Sequence, residues 1–149
     1  MDTILEQLVE FSGKLFEIKE NNSLQIPALS ILETDFRGNL RNKIFVNFNL
    51  LPLTEPDILA HVLAHEYGHH IYNHVKINPL SLNQDQLDQV EYEADFYALL
   101  FIEKYNYNKK KIINFILDTT HNSKLLKNRI DIINGDINIV DKNYHILIL

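Results

Sequence analysis

The spacing of apolar residues divides this chain into a helical start, a short β segment and a long helical second half. Helical spacing predicts a first helix over residues 2–19. The next segment is rich in β-branched and aromatic residues, and the turn-forming sequence of residues 36–39 separates residues 28–34 from residues 43–49. We therefore expect a hairpin over about residues 28–49 in a small antiparallel sheet, with the partly polar second strand at an edge.

The second half of the chain is predicted to form successive helices, two of which begin with clear capping signals. Thr54 is the expected N-cap of one helix, and Ser81 with Gln84 is typical of a capping box that opens the next. The pattern indicates an α+β fold in a single domain, residues 1–149. The predicted helices cover residues 55–74, 81–104, 108–118 and 123–134, followed by an extended tail over residues 137–149.

Composition narrows the classes of function. The 149 residues are 46% hydrophobic, which is enough for one domain with a core. The net charge of -6 provides no basic surface for phosphate backbones and argues against nucleic acid as a partner. The chain has no cysteine, so disulfides and thiolate ligands are excluded, and a zinc site would need nitrogen and oxygen ligands.

The N-terminal sequence MDTILEQLVE lacks a basic segment followed by an apolar one. No apolar run approaches the length of a membrane-spanning helix. We therefore expect a soluble, cytoplasmic protein without membrane insertion. Separately, we expect it to be a monomer.

The sequence HEYGH over residues 65–69 is an HExxH motif within a segment of helical pattern. Residues four apart lie on one face of a helix, so His65 and His69 can both reach one metal ion. Glu66 is then placed beside a water molecule held by the metal, as a general base requires. Catalytic zinc takes three protein ligands and leaves one position open, so a third ligand must come from elsewhere in the chain.

The third ligand is expected from the sequence Glu91-Tyr92-Glu93-Ala94-Asp95 on the following helix. Glu91 and Asp95 share one helical face, whereas Glu93 points about 200° away. Glu91 is therefore the favoured ligand, with Glu93 and His61 as alternatives. Asp95, one turn after Glu91, would accept the second N–H of a ligating imidazole.

The neighbouring small residues are expected to let the two helices approach closely. Gly68 provides the small residue on one helix, and Ala94 and Ala98 provide it on the other. His70 and His74 are predicted to be surface residues.

HEYGH followed about twenty residues later by ExxAD resembles the gluzincin metallopeptidases. The resemblance implies a zincin-like fold with zinc held by His65, His69 and Glu91. Within that group, residues 40–133 resemble the soluble core of the HtpX and CAAX-protease clan. The features that carry this likeness are the sequence EYEADFYALL, the turn at residues 105–108, a loop containing His121, and the pair Arg129-Ile130.

Residues 44–98 also resemble the ImmA/IrrE metallopeptidases, which cleave phage or stress repressors. Because no membrane-spanning helix is predicted, the chain is best described as a minimal soluble gluzincin. The resemblance implies hydrolysis of peptide bonds in a peptide or protein substrate, with Glu66 as the general base. The strand over residues 43–48 is expected to pair with an extended substrate.

Three points stay open in the sequence. His121, Arg129, Tyr144 and His145 are all candidates for stabilising the oxyanion, and nothing in the sequence chooses among them. The scaffold could serve as a catalytically silent metal-binding or interaction module, or as an ImmA/IrrE-like protease that cleaves a regulator. The tail over residues 144–149 could fold over the cleft and keep an active enzyme latent.

Overall fold

The computed structural model describes residues 1–140, which form an α+β fold. The prediction for the tail therefore lies outside the described residues from position 141 onward. Residues 138–140 are helical rather than extended. The elements are, in chain order, α1 (Asp2–Ser12), β1 (Glu17–Glu20), β2 (Ala28–Thr34), β3 (Leu40–Val46), α2 (Pro56–Ile71), two 3₁₀ helices (His74–Lys76 and Pro79–Ser81), α3 (Gln84–Lys104), α4 (Lys109–Thr119) and α5 (Ser123–Ile133).

The three strands form a mixed sheet with β3 at its centre, in the order β1-β3-β2. The predicted hairpin is confirmed, because β2 and β3 pair antiparallel with Ala28 opposite Val46. Two predictions about the sheet are wrong, namely that it is antiparallel and that the second strand of the hairpin lies at its edge. β1 pairs in parallel with β3, with Glu17 opposite Lys43. β2 therefore provides an edge of this sheet.

The strand β1 was missed because Ile18, with Leu15 and Phe16 before it, continues the helical spacing of α1. The first helix ends at Ser12 instead of continuing to residue 19, because Gly13 adopts a left-handed conformation with φ of 70°. Its N–H donates to the carbonyl of Val9 at 2.8 Å, which closes the helix end. The chain then leaves the helix direction and returns along the sheet as β1.

Helix α2 lies at the centre of the molecule and carries HEYGH. Every residue from Leu59 to His70 is buried, because α2 packs against α1, β2, α3 and α4. It starts with Glu55 as N-cap rather than Thr54, and Pro56 occupies the first turn, where a missing N–H costs nothing. Most polar side chains on a helix buried on all sides must find hydrogen-bond partners inside the protein.

Helix α3 packs along α2 and is opened by a capping box two residues after the predicted one. Asn83 accepts a hydrogen bond from the backbone N–H of Gln86, whose side chain accepts one in return. The expected pair Ser81 and Gln84 is wrong, because Ser81 ends the second 3₁₀ helix instead.

The contact between α2 and α3 depends on small residues, as predicted. A Cβ atom on Gly68 would lie 3.1 Å from Ala94 Cα and 3.0 Å from Tyr97 Cβ. Ala94 and Ala98 are both fully buried. The two helices can therefore bring their polar side chains together across a short distance.

Candidate metal centre

Two imidazoles from α2 and one carboxylate from α3 converge at the contact between these helices. The Nε2 atoms of His65 and His69 lie 3.1 Å apart. Glu91 places Oε2 at 3.0 Å from His65 Nε2 and Oε1 at 3.6 Å from His69 Nε2. The structure thus brings together the three side chains that the sequence singled out as candidate ligands.

The spacing of these atoms fits a single metal ion. Tetrahedral zinc with bonds of about 2.0–2.1 Å keeps its donor atoms roughly 3.3 Å apart, and the three separations lie within a few tenths of an ångström of that value. The ligand atoms of His65, Glu66 and His69 also all lie within 4.8 Å of one another. With no cysteine in the chain, this nitrogen and oxygen donor set is the chemistry that zinc would find here.

The alternative ligands lie elsewhere. Glu93, only 1% exposed, directs Oε1 to His74 Nε2 at 3.0 Å. His61 is buried, with Nε2 at 3.8 Å from Asp95 Oδ1. Glu93 is thus engaged with His74, and His61 lies beside Asp95.

Asp95 holds the second nitrogen of His65, where the sequence led us to expect it. Its Oδ1 lies 2.7 Å from His65 Nδ1. Arg129 of α5 donates from Nε to Oδ2 at 2.8 Å and from its terminal nitrogen to Oδ1 at 3.1 Å. Asp95 is completely buried, so its charge depends on these partners for compensation.

These contacts set the protonation of the pair. Burial would raise the pKa of Asp95, but Arg129 and the His65 imidazole hold it well below its usual range. Burial would likewise lower the pKa of His65, but Asp95 and Glu91 raise it to about 10. A pKa raised this far corresponds to an imidazolium that donates Nδ1–H to Asp95 and Nε2–H to Glu91, and a metal at Nε2 would displace the second proton.

Glu66 lies beside the three donor side chains and has a partner that the sequence did not indicate. The hydroxyl of Ser30, on β2, lies 2.6 Å from Glu66 Oε2 and 2.9 Å from the Glu66 carbonyl oxygen. Burial raises the pKa of Glu66, and the Ser30 hydroxyl and the nearby His65 act against that rise. A raised pKa suits a carboxylate that must accept a proton and later release it.

The predicted surface positions of His70 and His74 are wrong. His70 Nε2 lies 2.9 Å from the carbonyl oxygen of Lys43 in β3. His74 Nδ1 lies 2.9 Å from His69 Nδ1. Both imidazoles are buried because α2 is enclosed on every side and Asn73, at φ of 60°, turns the chain back against it.

Two cavities open onto the site. The larger, of about 610 Å³, is lined by β2 from Ala28 to Leu32 and by His65, Glu66, His69 and Glu91. A smaller cavity of about 220 Å³ reaches the same site from the other side, between the segment before β2, α4 and Arg129. The edge strand β2 is therefore a wall of the cleft, whereas β3 is covered by strands on both sides.

The structure describes two of the four candidates for stabilising the oxyanion, Arg129 and His121. Arg129 is engaged by Asp95 and donates to the Thr120 hydroxyl at 3.1 Å, although it also borders the smaller cavity. His121 is exposed. Tyr144 and His145 lie outside the described residues.

Comparison with known proteins agrees with this geometry. The model of Peptidase family M48 matches residues 32–90, less than half of the chain. The matched segment contains β3, α2 and the HEYGH sequence, and it ends one residue before Glu91. No curated protein and no solved structure matches the chain.

Between residues 1 and 140, no helix combines the length and the apolar character needed to cross a membrane.

The family match and the cluster of His65, Glu66 and His69 together support a metallopeptidase of the zincin type.

Proposed function

We propose that this protein is a single-domain, zinc-dependent peptidase of the gluzincin type. The observation that carries the proposal is the convergence of His65, His69 and Glu91 beside the buried carboxylate of Glu66, at the wall of an open cleft. The match to Peptidase family M48 supports a metallopeptidase function independently of this geometry.

His65, His69 and Glu91 would hold the metal. Bound zinc would supply a lowered pKa for a coordinated water molecule and would polarise the carbonyl of the substrate. Asp95 keeps the Nδ1–H of His65 directed away from the site, so Nε2 is the nitrogen that would bind the metal after losing its proton. The side chain of Glu91 is 38% exposed, so the metal side of the site stays accessible from the cleft.

Glu66 is the proposed general base. Its carboxylate accepts a proton from the attacking water and then delivers that proton to the leaving amine. Ser30 keeps the carboxylate in place through the short contact to Oε2. The buried position of Glu66 supports an enzyme over a catalytically silent interaction module, because a purely structural metal site needs no such base.

The substrate is proposed to bind as an extended peptide along β2. An edge strand offers unpaired backbone groups to which a peptide can add as a further strand. This places the peptide in the larger cavity, between β2 and the side chains of His65 and Glu66. Pairing of the substrate with a strand is the mode of binding expected from the sequence. The proposed strand is β2, whereas the sequence indicated residues 43–48.

Metal analysis tests the site. The purified protein is expected to bind about one zinc ion per chain, and Glu91→Ala is expected to lose it or to bind it much more weakly. Zinc retained at full affinity in Glu91→Ala would show that the third ligand is a residue other than Glu91. A folded wild-type protein that takes up no zinc after reconstitution would overturn the proposal.

The role of Glu66 requires a separate variant. Glu66→Gln keeps the size of the side chain and is expected to bind zinc while losing cleavage of a quenched fluorogenic peptide library by at least about a hundredfold. A zinc-loaded Glu66→Gln protein that cleaves as fast as the wild type would remove Glu66 from the mechanism.

A further inference from the structure

We infer that His74 and Glu93 act as a positioning relay that fixes the tautomer of His69 in which Nε2 is free to bind the metal. The inference rests on the proposed metal site and concerns two residues that take no direct part in it. His74 belongs to the 3₁₀ helix that follows α2, and Glu93 lies on α3.

The three side chains form a continuous chain of contacts. Glu93 Oε1 lies 3.0 Å from His74 Nε2, and His74 Nδ1 lies 2.9 Å from His69 Nδ1. All three residues are buried, with exposed fractions of 1%, 7% and 8%. The free nitrogen of His69, Nε2, lies at the far end of this chain, next to His65 Nε2.

One arrangement of protons along this chain leaves His69 Nε2 able to bind a metal. In it, the Glu93 carboxylate accepts the Nε2–H of His74, and the Nδ1 of a neutral His74 accepts the Nδ1–H of His69. His69 Nε2 is then left without a proton, as a metal ligand must be. A charged His74 would instead donate Nδ1–H to His69 and leave the His69 proton on Nε2, which would oppose metal binding.

The surroundings of Glu93 support a specific role for its charge. Among the residues 1–140, the second carboxylate oxygen, Oε2, has no hydrogen-bond partner. Burying a carboxylate with so little compensation is costly, and an apolar side chain would avoid that cost. The contact described for this carboxylate is the hydrogen bond to His74, and a leucine at position 93 would lose it.

His74 is not placed to be a metal ligand itself. Its Nδ1 faces Nδ1 of His69, on the side of that ring opposite Nε2, and its Nε2 faces Glu93. The left-handed conformation of Asn73 brings His74 into this position, five residues after His69. Each of the two imidazoles of HEYGH thus has its own buried carboxylate, directly in the case of His65 and through His74 in the case of His69.

Zinc affinity tests the relay with two variants at one position. Glu93→Leu removes the acceptor and is expected to weaken zinc binding by about 10–100-fold in competition with a chromophoric chelator. Glu93→Gln keeps an acceptor oxygen and is expected to weaken it by less than about tenfold. Equal affinity in wild type and Glu93→Leu would overturn the inference, and so would equal losses in both variants.

The control is His70→Leu, which removes another buried imidazole next to His69 on α2. His70 contacts the carbonyl of Lys43 and takes no part in the relay. This variant is expected to lower stability while zinc affinity stays unchanged. If His70→Leu weakened zinc binding as much as Glu93→Leu, the loss would reflect a general disturbance of buried polar groups near the site. That result would overturn the relay.

Nitrogen-15 NMR of the histidine rings reads the tautomers directly and does not depend on a variant that folds. In zinc-loaded wild-type protein, His69 is expected to carry its proton on Nδ1, and His74 on Nε2. A proton on His74 Nδ1 would exclude the acceptor role and overturn the relay. Failure of the wild type to bind zinc would instead overturn the proposed metal site, so the two failures are distinguishable.

Discussion

At the scale of single residues, the site depends on charges that are buried in pairs. Asp95 is fully buried against Arg129 and His65, and removing one partner of such a pair typically costs about 3–5 kcal/mol because a charge is left uncompensated. Sequence reasoning predicted the contact of Asp95 with a metal-binding imidazole from helical spacing alone. It did not predict the partner role of Arg129, because α5 approaches α3 only through the tertiary fold.

Ser30 is a second residue whose role is visible only in the structure. It lies on β2, 36 positions before Glu66, and no local pattern links the two. Its hydroxyl contacts the carboxylate that burial otherwise destabilises. A strand residue thus completes a site that the sequence places entirely on helices.

Ser30→Ala is expected to change the pH dependence of peptide cleavage. The Ser30 hydroxyl lowers the pKa of Glu66, so its loss raises that pKa further, and more of the base is protonated at a given low pH. Activity on the acidic side of the kcat/KM profile should fall roughly tenfold, with the acid limb displaced to higher pH. The measurement is kcat/KM against pH for both proteins.

The matched control is Ser30→Thr, which keeps the hydroxyl on a residue that strands accept well. Its acid limb should remain close to that of the wild type. Superimposable profiles for wild type and Ser30→Ala would show that Ser30 does not influence the base.

At the scale of elements, the sequence predicted those that local spacing defines and missed those that distant contacts define. The helix carrying HEYGH, the helix carrying Glu91 and the hairpin were all expected, because each has a clear period or turn signal. Strand β1 was missed because four residues are too few to show a period, and its pairing with β3 joins segments 26 residues apart. The two predicted N-caps were wrong by one and two residues, because helix ends are only weakly encoded in the local sequence.

The contact of α2 with α3 gives a prediction at this scale. Gly68→Ala places a Cβ atom 3.0 Å from Tyr97 Cβ and 3.1 Å from Ala94 Cα, closer than side chains normally approach. The helices must then move apart, at a typical cost of about 1–3 kcal/mol, against a gain of about 1 kcal/mol from the better helix former. We expect a net loss in the free energy of unfolding, measured with urea, and weaker zinc binding because the ligands come from both helices.

Asn114→Ala controls for helix propensity, since Asn114 is an exposed position on α4. This variant is expected to be as stable as the wild type or slightly more stable. If Gly68→Ala behaved in the same way and bound zinc normally, the spacing of α2 and α3 would not be critical for the site.

At the scale of the whole molecule, the position of the sheet decides where a substrate can bind. The sequence predicted strand pairing with the substrate but assigned it to residues 43–48, because the parallel addition of β1 was not foreseen. With β3 at the centre of the sheet, the cleft runs along β2, which also supplies Ser30 to Glu66. The same strand would then hold the peptide backbone and position the base that acts on it.

Binding along β2 predicts an alternating response to changes in the peptide backbone. In strand pairing, successive N–H groups of the substrate point alternately toward β2 and away from it. N-methylation of the groups that point toward β2 removes a hydrogen bond and introduces a clash, so kcat/KM should fall by at least about tenfold at every second position. Methylation at the positions between them should have little effect, and peptides of identical side-chain sequence provide the control. Equal sensitivity at neighbouring positions, or no sensitivity at any position, would mean that the substrate is held by its side chains and not by the edge of the sheet.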